Sequence, residues 1–498
     1  MTYESTRGSK EKVTFSQAVV AGLAPDGGLF VPCGDVRFGE NELAEMAGLD
    51  YCGLAFKVMS RYAGDFSEDE LKDCIGGAYK SGKFPQDCPV RVTRANEKLS
   101  VLELWHGPTC AFKDMALQIL PRFMVAASRK CGENREITIL TATSGDTGKA
   151  ALEGFRDVPG IKVMVFYPAF GVSETQKLQM ITQEGSNVCV KAIYGNFDDA
   201  QTGVKKIFGD AEFAEKLAKD GKMLSSANSI NWGRLLPQIV YYFYAYFSLV
   251  RENAVKSGEK VDFCVPTGNF GDILACYYAK KSGLPVGKII CACNTNSVVA
   301  DFLATGKYDK NRPFVTTSSP AMDILVSSNL ERLIYDASGR DPARTAGFMR
   351  ELAEKGRYTV GKDILEKIRE DFDSGFATEA ETTEAIAEAY FKNEILIDPH
   401  TAVGYSVLGK KRAGSTGNQT VLVSTASPFK FNSSVAEALC PADVHESMSE
   451  EDISRIISKK TGESIPAPLI GLSARKIRFP DTVEPEKMKQ TAEEFIYG

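Results

Sequence analysis

The sequence is poor in histidine and tryptophan, with three and two residues among 498. Its twelve cysteines are scattered without a CxxC pair, and the closest spacing is Cys291-Ala292-Cys293. Because no cysteines or histidines stand at ligand spacing, no metal site is expected. A basic excess is missing as well, since the net charge is −6 and the pI is near 5.5. This acidic balance argues against nucleic acid as a partner.

Long apolar runs are also lacking. The N-terminal MTYESTRGSKEK has no secretory signal pattern, and the most apolar stretch, Leu235 to Val250, is too short for a membrane span. We therefore expect no membrane partner and a cytoplasmic location, where thiols stay reduced. The stretch is interpreted as a buried helix or, through its tyrosines at 241–246, as a subunit contact.

The chain is long enough for two or three domains. Residues 1–95 look mainly helical, whereas later β-branched runs alternate with helical periodicity, which indicates βα units and parallel sheets. Residues 362–394 are predicted to form surface helix, and the charged tail after about 440 to wrap the body. The predicted strands span residues 136–143, 161–168, 187–193, 261–266, 288–293 and 420–425.

Two predicted strand-to-helix junctions contain possible anion sites. In VPTGNFGDILA, Gly268 and Gly271 let the backbone curl before a helix that begins near Asp272, which would expose N–H groups to a phosphate. In TATSGDTGKAA, Ser144 and Thr147 could grip a carboxylate or phosphate. The alternatives are a plain tight turn in the first case, and a serine or aspartate helix cap in the second.

A third junction, ELWHGPTCAFKDMALQIL, places Lys113 in an apolar run just before a predicted helix, which Pro121 would kink or end. A lysine held at a helix start and away from water loses stability as an ammonium, so its amine becomes available for Schiff-base chemistry. The alternative is a snorkelling lysine whose head reaches water. The helical stripe expected to face the core consists of Ala116, Ile119, Leu120, Phe123 and Met124.

Together, a phosphate cradle, a small-anion loop and a buried lysine suggest pyridoxal 5'-phosphate, which needs an aldehyde partner, a phosphate seat and a partner for its ring nitrogen. The motifs ELWHGPTCAFKD, TATSGDTGKAA, SINWGRLLPQI, VPTGNFGDILA, IDPHTAVG and VSTASPFKF closely resemble the threonine synthases of bacteria and fungi.

The resemblance implies an α/β fold of the fold type II pyridoxal-phosphate class, built like the tryptophan synthase β chain. Its large and small parallel-sheet domains would follow a mostly helical N-terminal region. The expected boundaries are residues 1–95 for the N-terminal domain, 96–136 with 227–440 for the large domain, 137–226 for the small domain and 441–498 for the tail. A monomer or homodimer suits this family.

The resemblance further implies that Lys113 forms the Schiff base and shuttles protons. Gly268, Asn269, Phe270 and Asp272 would surround the cofactor phosphate. Thr425 would face the pyridine nitrogen, where a hydroxyl does not force protonation and the electron sink is milder. The implied reaction converts O-phospho-L-homoserine and water to L-threonine and phosphate.

The substrate phosphate needs cationic or polar partners of its own. The candidates are Ser144, Thr147, Asn231, Arg234 and His400. Each of the last three has an alternative: a turn residue for Asn231, a surface ion pair for Arg234, and a loop-holding role for His400.

Two positions near Lys113 have open roles. His106 either takes part in the chemistry or fixes the HGPT turn, and Cys110, where a larger apolar residue is expected, is interpreted as a small packed hydrophobe.

Two rival functions are also open. One is a phospholyase that converts the same substrate to 2-oxobutanoate, and the other is a non-catalytic protein that binds a phosphate ligand.

Overall fold

The computed structural model describes residues 1–85, 88–411, 417–445 and 447–498. Within them the strands are β1 (Tyr3–Ser5), β2 (Phe30–Pro32), β3 (Arg91–Arg94), β4 (Leu99–Glu103), β5 (Glu136–Ala142), β6 (Ile161–Pro168), β7 (Val188–Ile193), β8 (Lys222–Ser225), β9 (Val261–Pro266), β10 (Val286–Cys293), β11 (Lys307–Asp309), β12 (Arg357–Thr359), β13 (Phe372–Phe376), β14 (Gln419–Ser424) and β15 (Thr482–Val483).

The α-helices are α1 (Phe15–Ala21), α2 (Glu40–Met46), α3 (Tyr51–Tyr62), α4 (Glu68–Tyr79), α5 (Asp114–Leu117), α6 (Leu120–Cys131), α7 (Asp146–Phe155), α8 (Glu174–Ile181), α9 (Phe197–Phe208), α10 (Ala211–Lys219), α11 (Trp232–Arg251), α12 (Gly271–Lys281), α13 (Val298–Thr305), α14 (Leu330–Ala337), α15 (Pro342–Lys355), α16 (Lys362–Asp371), α17 (Glu379–Asn393), α18 (Pro399–Lys411), α19 (Asn432–Leu439), α20 (Glu450–Thr461) and α21 (Met488–Tyr497).

Two twisted sheets organise the chain, and the α/β fold class is confirmed. The larger sheet has the order β13-β10-β9-β14-β4-β3 and is parallel except for β3, which runs antiparallel to β4. The smaller sheet has the order β15-β7-β6-β5-β8 and is entirely parallel. All six strands predicted from β-branched runs are present, because such runs are buried on both faces by flanking helices.

The N-terminal region is mainly helical, with α1 to α4 beside a short antiparallel pair of β1 and β2. Its helices pack on the rest of the chain through α1 against α6 and α3 against α11. Strand β3, at residues 91–94, lies at the edge of the larger sheet, although this stretch was predicted to belong to the helical region. It joins because its backbone pairs with β4.

Helix α11 is buried by the chain's own elements, and none of the helices in the described ranges is long and apolar enough to cross a membrane. Tyr241, Tyr242 and Tyr246 are at most 2% exposed. The rings of these three tyrosines are enclosed by the core, whereas Tyr244 is only partly buried, so a subunit contact through this stretch stays a prediction.

The prediction of continuous surface helix at 362–394 is wrong in its middle. Strand β13 interrupts it between α16 and α17 and pairs in parallel with β10, Phe372 standing beside Ile289. The strand lies at the sheet edge, where polar and glycine residues are tolerated, so FDSGF does not carry the apolar run typical of a central strand.

The C-terminal segment lies against both sheet layers. Helix α20 packs on α19, whereas β15 extends the smaller sheet beside β7 and α21 packs on α9. Residues 441–498 thus contribute a strand to the smaller sheet and a helix that packs on α9 beside it.

The two layers approach closely where α7 passes α5. A Cβ placed on Gly154 would lie 1.9 Å from the carbonyl oxygen of Leu117. We expect Gly154→Ala to lower the unfolding free energy by about 1–3 kcal/mol, because backbone atoms would have to shift. Gly76→Ala in α4 is the matched control, since its Cβ would meet nothing within 4 Å. That control should be stabilising by roughly 0.5–1 kcal/mol. Thermal melts followed by circular dichroism check both, and equal melting temperatures would contradict the close contact.

Candidate active site

One cavity of about 580 Å³ brings together every site residue predicted from the sequence. This volume lies in the range of small-molecule sites. Elements of both sheet layers and the loop after α1 contribute to its wall. The predicted residues on this wall are Lys113, Ser144, Thr147, Asn231, Arg234, Gly268, Asn269, Phe270, Asp272, His400 and Thr425.

Lys113 immediately precedes α5, as the sequence predicts, and Pro121 lies in the first turn of α6, so the helical stretch is divided there. The Lys113 side chain is 8% exposed, which makes the snorkelling alternative wrong. Burial lowers the pKa of Lys113, with Arg234 and Lys430 adding to the effect and Asp146 opposing it. The stripe that follows is fully buried: Ala116, Ile119, Leu120, Phe123 and Met124.

Asp146 is the charge partner of Lys113, and it was not among the site residues predicted from the sequence. Its Oδ2 lies 3.4 Å from the Lys113 Nζ, and its Oδ1 lies 2.7 Å from the Nζ of the fully buried Lys430. The Gln176 amide also donates to Oδ1 at 2.8 Å. Burial opposes ionisation, but the Lys430 and Lys113 ammonium groups outweigh it and hold the pKa of Asp146 well below its ordinary value.

The start of α7 is capped by Thr143, not by a serine or aspartate. The Thr143 hydroxyl accepts hydrogen bonds from the backbone N–H groups of Gly145 at 3.0 Å and Gly148 at 2.9 Å. Gly145 has a φ of +133°, which favours glycine. Ser144 and Thr147 line the cavity instead of capping the helix.

The loop before α12 has the geometry of an anion cradle. Phe270 adopts the left-handed conformation with φ 60° directly before the helix, and such turns at helix starts make concavities of N–H groups. The carbonyl oxygen of Gly268 accepts from Ser327 at 3.0 Å, and that of Asn269 accepts from the Asn329 amide at 2.9 Å. A Cβ at position 268 would lie 2.5 Å from the carbonyl oxygen of Ala321, so glycine is required there.

The Asp272 side chain is turned toward α11. Its Oδ1 accepts hydrogen bonds from the hydroxyls of Tyr241 and Tyr242, each at 2.6 Å. Burial raises the pKa of Asp272 to about 6. What this residue can offer to an anion in the cradle is therefore its backbone N–H at the helix start, not its carboxyl group.

Arg234 is buried and forms no ion pair with a carboxylate in the described ranges, so the surface ion pair alternative is wrong. Its Nη1 donates to the Ala227 carbonyl at 2.7 Å, and its Nε has no hydrogen-bond partner among the described residues. Burial lowers the pKa of Arg234 to about 10. A buried guanidinium that lines a cavity and has no carboxylate partner among the described residues is suited to an anionic ligand.

Asn231 and His400 use their polar atoms for the fold. Asn231 caps α11 by accepting from the Gly233 N–H and donating to the Val19 carbonyl, both at 2.9 Å, as its turn alternative predicts. The Nδ1 of His400 lies 2.6 Å from Asp398, and its Nε2 accepts from the Ala321 N–H at 3.2 Å. This arrangement holds the loop that crowds Gly268 and matches the loop-holding alternative.

Three further positions lie close to the Lys113 loop. Thr425 is 6% exposed on the cavity wall, and its carbonyl accepts from the Phe112 N–H at 2.8 Å. His106 contacts Glu103 at 2.7 Å. Cys110 is buried, as expected for a packed hydrophobe, with a φ of 57°. Burial raises the pKa of its thiol to about 12, which disfavours the reactive thiolate.

Comparison with known proteins decides the family. A profile described as "Threonine synthase N terminus" matches residues 2–79, and one described as "Pyridoxal-phosphate dependent enzyme" matches residues 90–426. The threonine synthase of Pseudomonas aeruginosa is 41% identical over 439 residues, covering 88% of this chain and 90% of its own. The chain belongs to the threonine synthase family.

Two further threonine synthases are similar to this chain over most of its length. The Saccharomyces cerevisiae threonine synthase is 39% identical over 88% of this chain and 89% of its own. The crystal structure of a threonine synthase from Brucella melitensis with bound pyridoxal phosphate superposes with a TM-score of 0.87 at 37% identity, covering 99% of each chain. The chain is therefore a pyridoxal-phosphate-dependent enzyme of fold type II, as the sequence predicts.

The residues of the cavity fit this cofactor. They provide a buried amine of lowered pKa at Lys113, a glycine-dependent anion cradle at the start of α12 and a threonine hydroxyl at position 425. Pyridoxal phosphate needs groups of these three kinds, for its aldehyde, its phosphate and its ring nitrogen. Across the ranges described above, no group of histidine, cysteine and acidic side chains is arranged to hold a metal ion.

The lowered pKa of Lys113 carries a stability prediction. The cost of burying this ammonium is fully present below the folded pKa and disappears as the pH rises toward the ordinary value of 10.5. We expect Lys113→Met to raise the melting temperature of the cofactor-free chain at pH 6–7 by on the order of 1–3 °C.

The gain should shrink toward pH 10 because the unfolded lysine then also loses its proton. Lys72→Met is the control, since the Lys72 side chain is 54% exposed and should change the melting temperature little. A Lys113→Met melting temperature below that of the parent chain at pH 6–7 would contradict the prediction.

Proposed function

We propose that the protein is a threonine synthase that converts O-phospho-L-homoserine and water to L-threonine and phosphate. The observation that carries this proposal is the occurrence, on one cavity wall, of a buried amine with a lowered pKa and a buried guanidinium without a carboxylate partner among the described residues. The first suits bonding to a cofactor aldehyde and proton transfer, and the second suits the phosphate of a small substrate. The family relationship supports the same assignment.

In this proposal the Lys113 amine would hold the cofactor and would be freed when the substrate amine takes its place. The bound cofactor would supply an electron sink beside the substrate α carbon. Lys113 would remove the α proton and later a β proton, and phosphate would leave from the γ carbon, which takes up a proton. Water would then add its hydroxyl at the β carbon, its proton balancing the departing phosphate, and a proton would return to the α carbon. An amine whose pKa lies below its ordinary value is unprotonated more often near neutral pH, so more of it is available to act as a base.

The cofactor end of the cavity is assigned to the loop before α12. Backbone N–H groups of Gly268, Asn269 and Phe270, with that of Asp272, would bind the cofactor phosphate. Thr425 would face the ring nitrogen and supply a hydroxyl in place of a carboxylate. A hydroxyl does not force the ring nitrogen to be protonated. The ring would therefore be a milder electron sink than a ring whose nitrogen faces a carboxylate.

The substrate end is assigned to Arg234, Ser144 and Thr147, which line the cavity. Arg234 would bind the substrate phosphate through its guanidinium group, which has no carboxylate partner among the described residues, and the two hydroxyls would bind the substrate carboxylate or phosphate. Asn231 and His400 would act by holding neighbouring backbone, because their polar atoms are engaged in protein contacts. Their contribution to substrate binding is therefore indirect.

The proposal includes a cytoplasmic enzyme that acts on a small molecule as a monomer or homodimer, without nucleic acid. The structure pairs none of the cysteines of the described residues in a disulfide, which suits a reducing compartment. The acidic pI near 5.5 supports a small-molecule partner over nucleic acid.

The first test combines a spectrum with a product assay. We expect the purified chain with pyridoxal phosphate to absorb visible light and to convert O-phosphohomoserine to threonine. Lys113→Ala should abolish both the visible band and borohydride labelling at this position. A chain that releases 2-oxobutanoate and no threonine would be a phospholyase. A colourless chain that binds phosphate ligands and is unchanged by Lys113→Ala would be a binding protein.

The second test addresses Arg234. We expect Arg234→Met to raise the KM for O-phosphohomoserine on the order of 100-fold and to weaken inhibition by inorganic phosphate, because a charge-assisted hydrogen bond is worth roughly 1.5–3 kcal/mol. Arg234→Lys keeps the charge but loses the fork, so it should recover only part of the affinity. The visible band should persist in both variants. Unchanged inhibition by inorganic phosphate in Arg234→Met would remove Arg234 from the substrate site.

A further inference from the structure

Lys430 is a second lysine at the centre of the fold that the proposed reaction does not use. It is 0% exposed and lies in a short helical turn, Pro428–Phe431, between two phenylalanines. Its Nζ donates to the carbonyl oxygen of Thr109 at 2.9 Å and lies 2.7 Å from Asp146 Oδ1. It does not line the cavity, so any effect on the reaction must pass through another side chain.

The link is the carboxylate of Asp146, which Lys430 shares with Lys113. Lys430 contacts Oδ1 at 2.7 Å, whereas Lys113 contacts Oδ2 at the longer distance of 3.4 Å. A carboxylate beside two amines stabilises an ammonium mainly on the nearer one, and the positive charge of the nearer amine disfavours a second proton close by. The arrangement therefore keeps one lysine charged and leaves the other inclined to lose its proton.

We propose that Lys430 is a positioning residue, whose buried ammonium takes the nearer contact with Asp146 and repels a proton from Lys113. In this arrangement the Lys113 amine is free to bond the cofactor aldehyde and to accept substrate protons near neutral pH. The inference rests on the proposed role of Lys113 and goes beyond it by naming the residue that sets its protonation. Lys430 itself touches neither substrate nor cofactor.

The other charged or titratable groups around this cluster come from several elements. Arg234 of α11 faces Lys113 and also disfavours its protonation, and Asp272 of α12 interacts with Lys113 in the opposite sense. On the side of Asp146, His400 of α18 adds to the effect of the two lysines. Asp114 lies on the helix that follows Lys113 and interacts with Lys430.

Of these groups, Lys430 alone bonds to Asp146 at 2.7 Å without contributing to the cavity wall. It can therefore be replaced without removing a group that would touch a ligand. Lys149 of α7 supplies a matched control. It is also buried and near the cluster, but its amine contacts Gln183 and lies 3.6 Å from Glu153. Replacing Lys149 removes a buried positive charge that Asp146 does not share.

The experiment follows the rate at which cofactor-free full-length protein acquires its visible band when pyridoxal phosphate is added, from pH 6 to pH 10. The rate should rise with pH as Lys113 loses its proton. We expect Lys430→Met and Lys430→Gln to move the midpoint upward by about one pH unit or more, which is at least about a tenfold slower rate at pH 7. Lys430→Arg, which keeps the charge, and Lys149→Met should retain the parent midpoint.

Lys430→Gln keeps an N–H donor for Asp146 and Thr109 but lacks the positive charge, so it separates the effect of charge from that of hydrogen bonding. It also provides a second uncharged variant if Lys430→Met does not fold. Circular dichroism identifies the variants that fold. A parent-like midpoint in folded Lys430→Gln overturns the inference. If the parent chain itself gains no visible band and no borohydride label at Lys113, the proposed function fails instead. If the parent chain shows a normal visible band but the Lys430 variants keep the parent midpoint, the inference about Lys430 is overturned and the proposed function is not.

Discussion

The charge balance around Asp146 is the constraint on which the site depends. A buried carboxylate is costly unless it is paired, and Asp146 is paired by Lys430, Lys113 and the Gln176 amide. These partners come from a turn after β14, from the start of α5 and from α8. The cluster thus joins segments of both sheet layers through one side chain. Stability and reactivity are coupled at this point, because the group that lowers the cost of burying Asp146 also alters the proton affinity of the amine beside it.

The anion cradle and the guanidinium site depend on a different kind of support. Both are shaped by hydrogen bonds to backbone atoms: Asn329 and Ser327 fix the loop before α12, and Asn231 caps α11. Such contacts fix backbone groups without adding charge to the cavity. The cavity wall can then present N–H groups and a lone guanidinium to anionic ligands, since the acidic side chains on that wall are either paired, like Asp146, or bound by tyrosine hydroxyls, like Asp272.

Much of this arrangement could be predicted from local sequence pattern. The central strands are short β-branched runs, and Lys113 is marked by its place beside Phe112 before an apolar stripe, so both were predictable without tertiary information. The glycines of the loop at 268–272 indicated a possible phosphate cradle, and the resemblance to threonine synthases supplied the expected cofactor roles of this loop and of Thr425. Edge strand β13 was missed because an edge strand needs no continuous apolar run.

Asp146, the partner of Lys113, was also missed. Its contacts with Lys113 and Lys430 depend on how segments distant in the sequence meet in space. A local signal for Lys430 was nevertheless present. It lies between Phe429 and Phe431, in the same kind of apolar setting that drew attention to Lys113. The capping of α7 by Thr143 and the engagement of Asp272 by two tyrosines likewise depend on tertiary geometry that no spacing rule supplies.

The pairing of β15 with β7 has a consequence for the tendency of the chain to self-associate. Strand β7 would otherwise present a row of unpaired N–H and C=O groups at the rim of a parallel, apolar sheet, and such rims recruit strands from other molecules. The short β15 pairs with the last two residues of β7, Ala192 and Ile193, and so covers one end of that rim. Removing β15 should therefore leave a longer stretch of open strand edge for other molecules to pair with, although its residues lie outside the cavity wall.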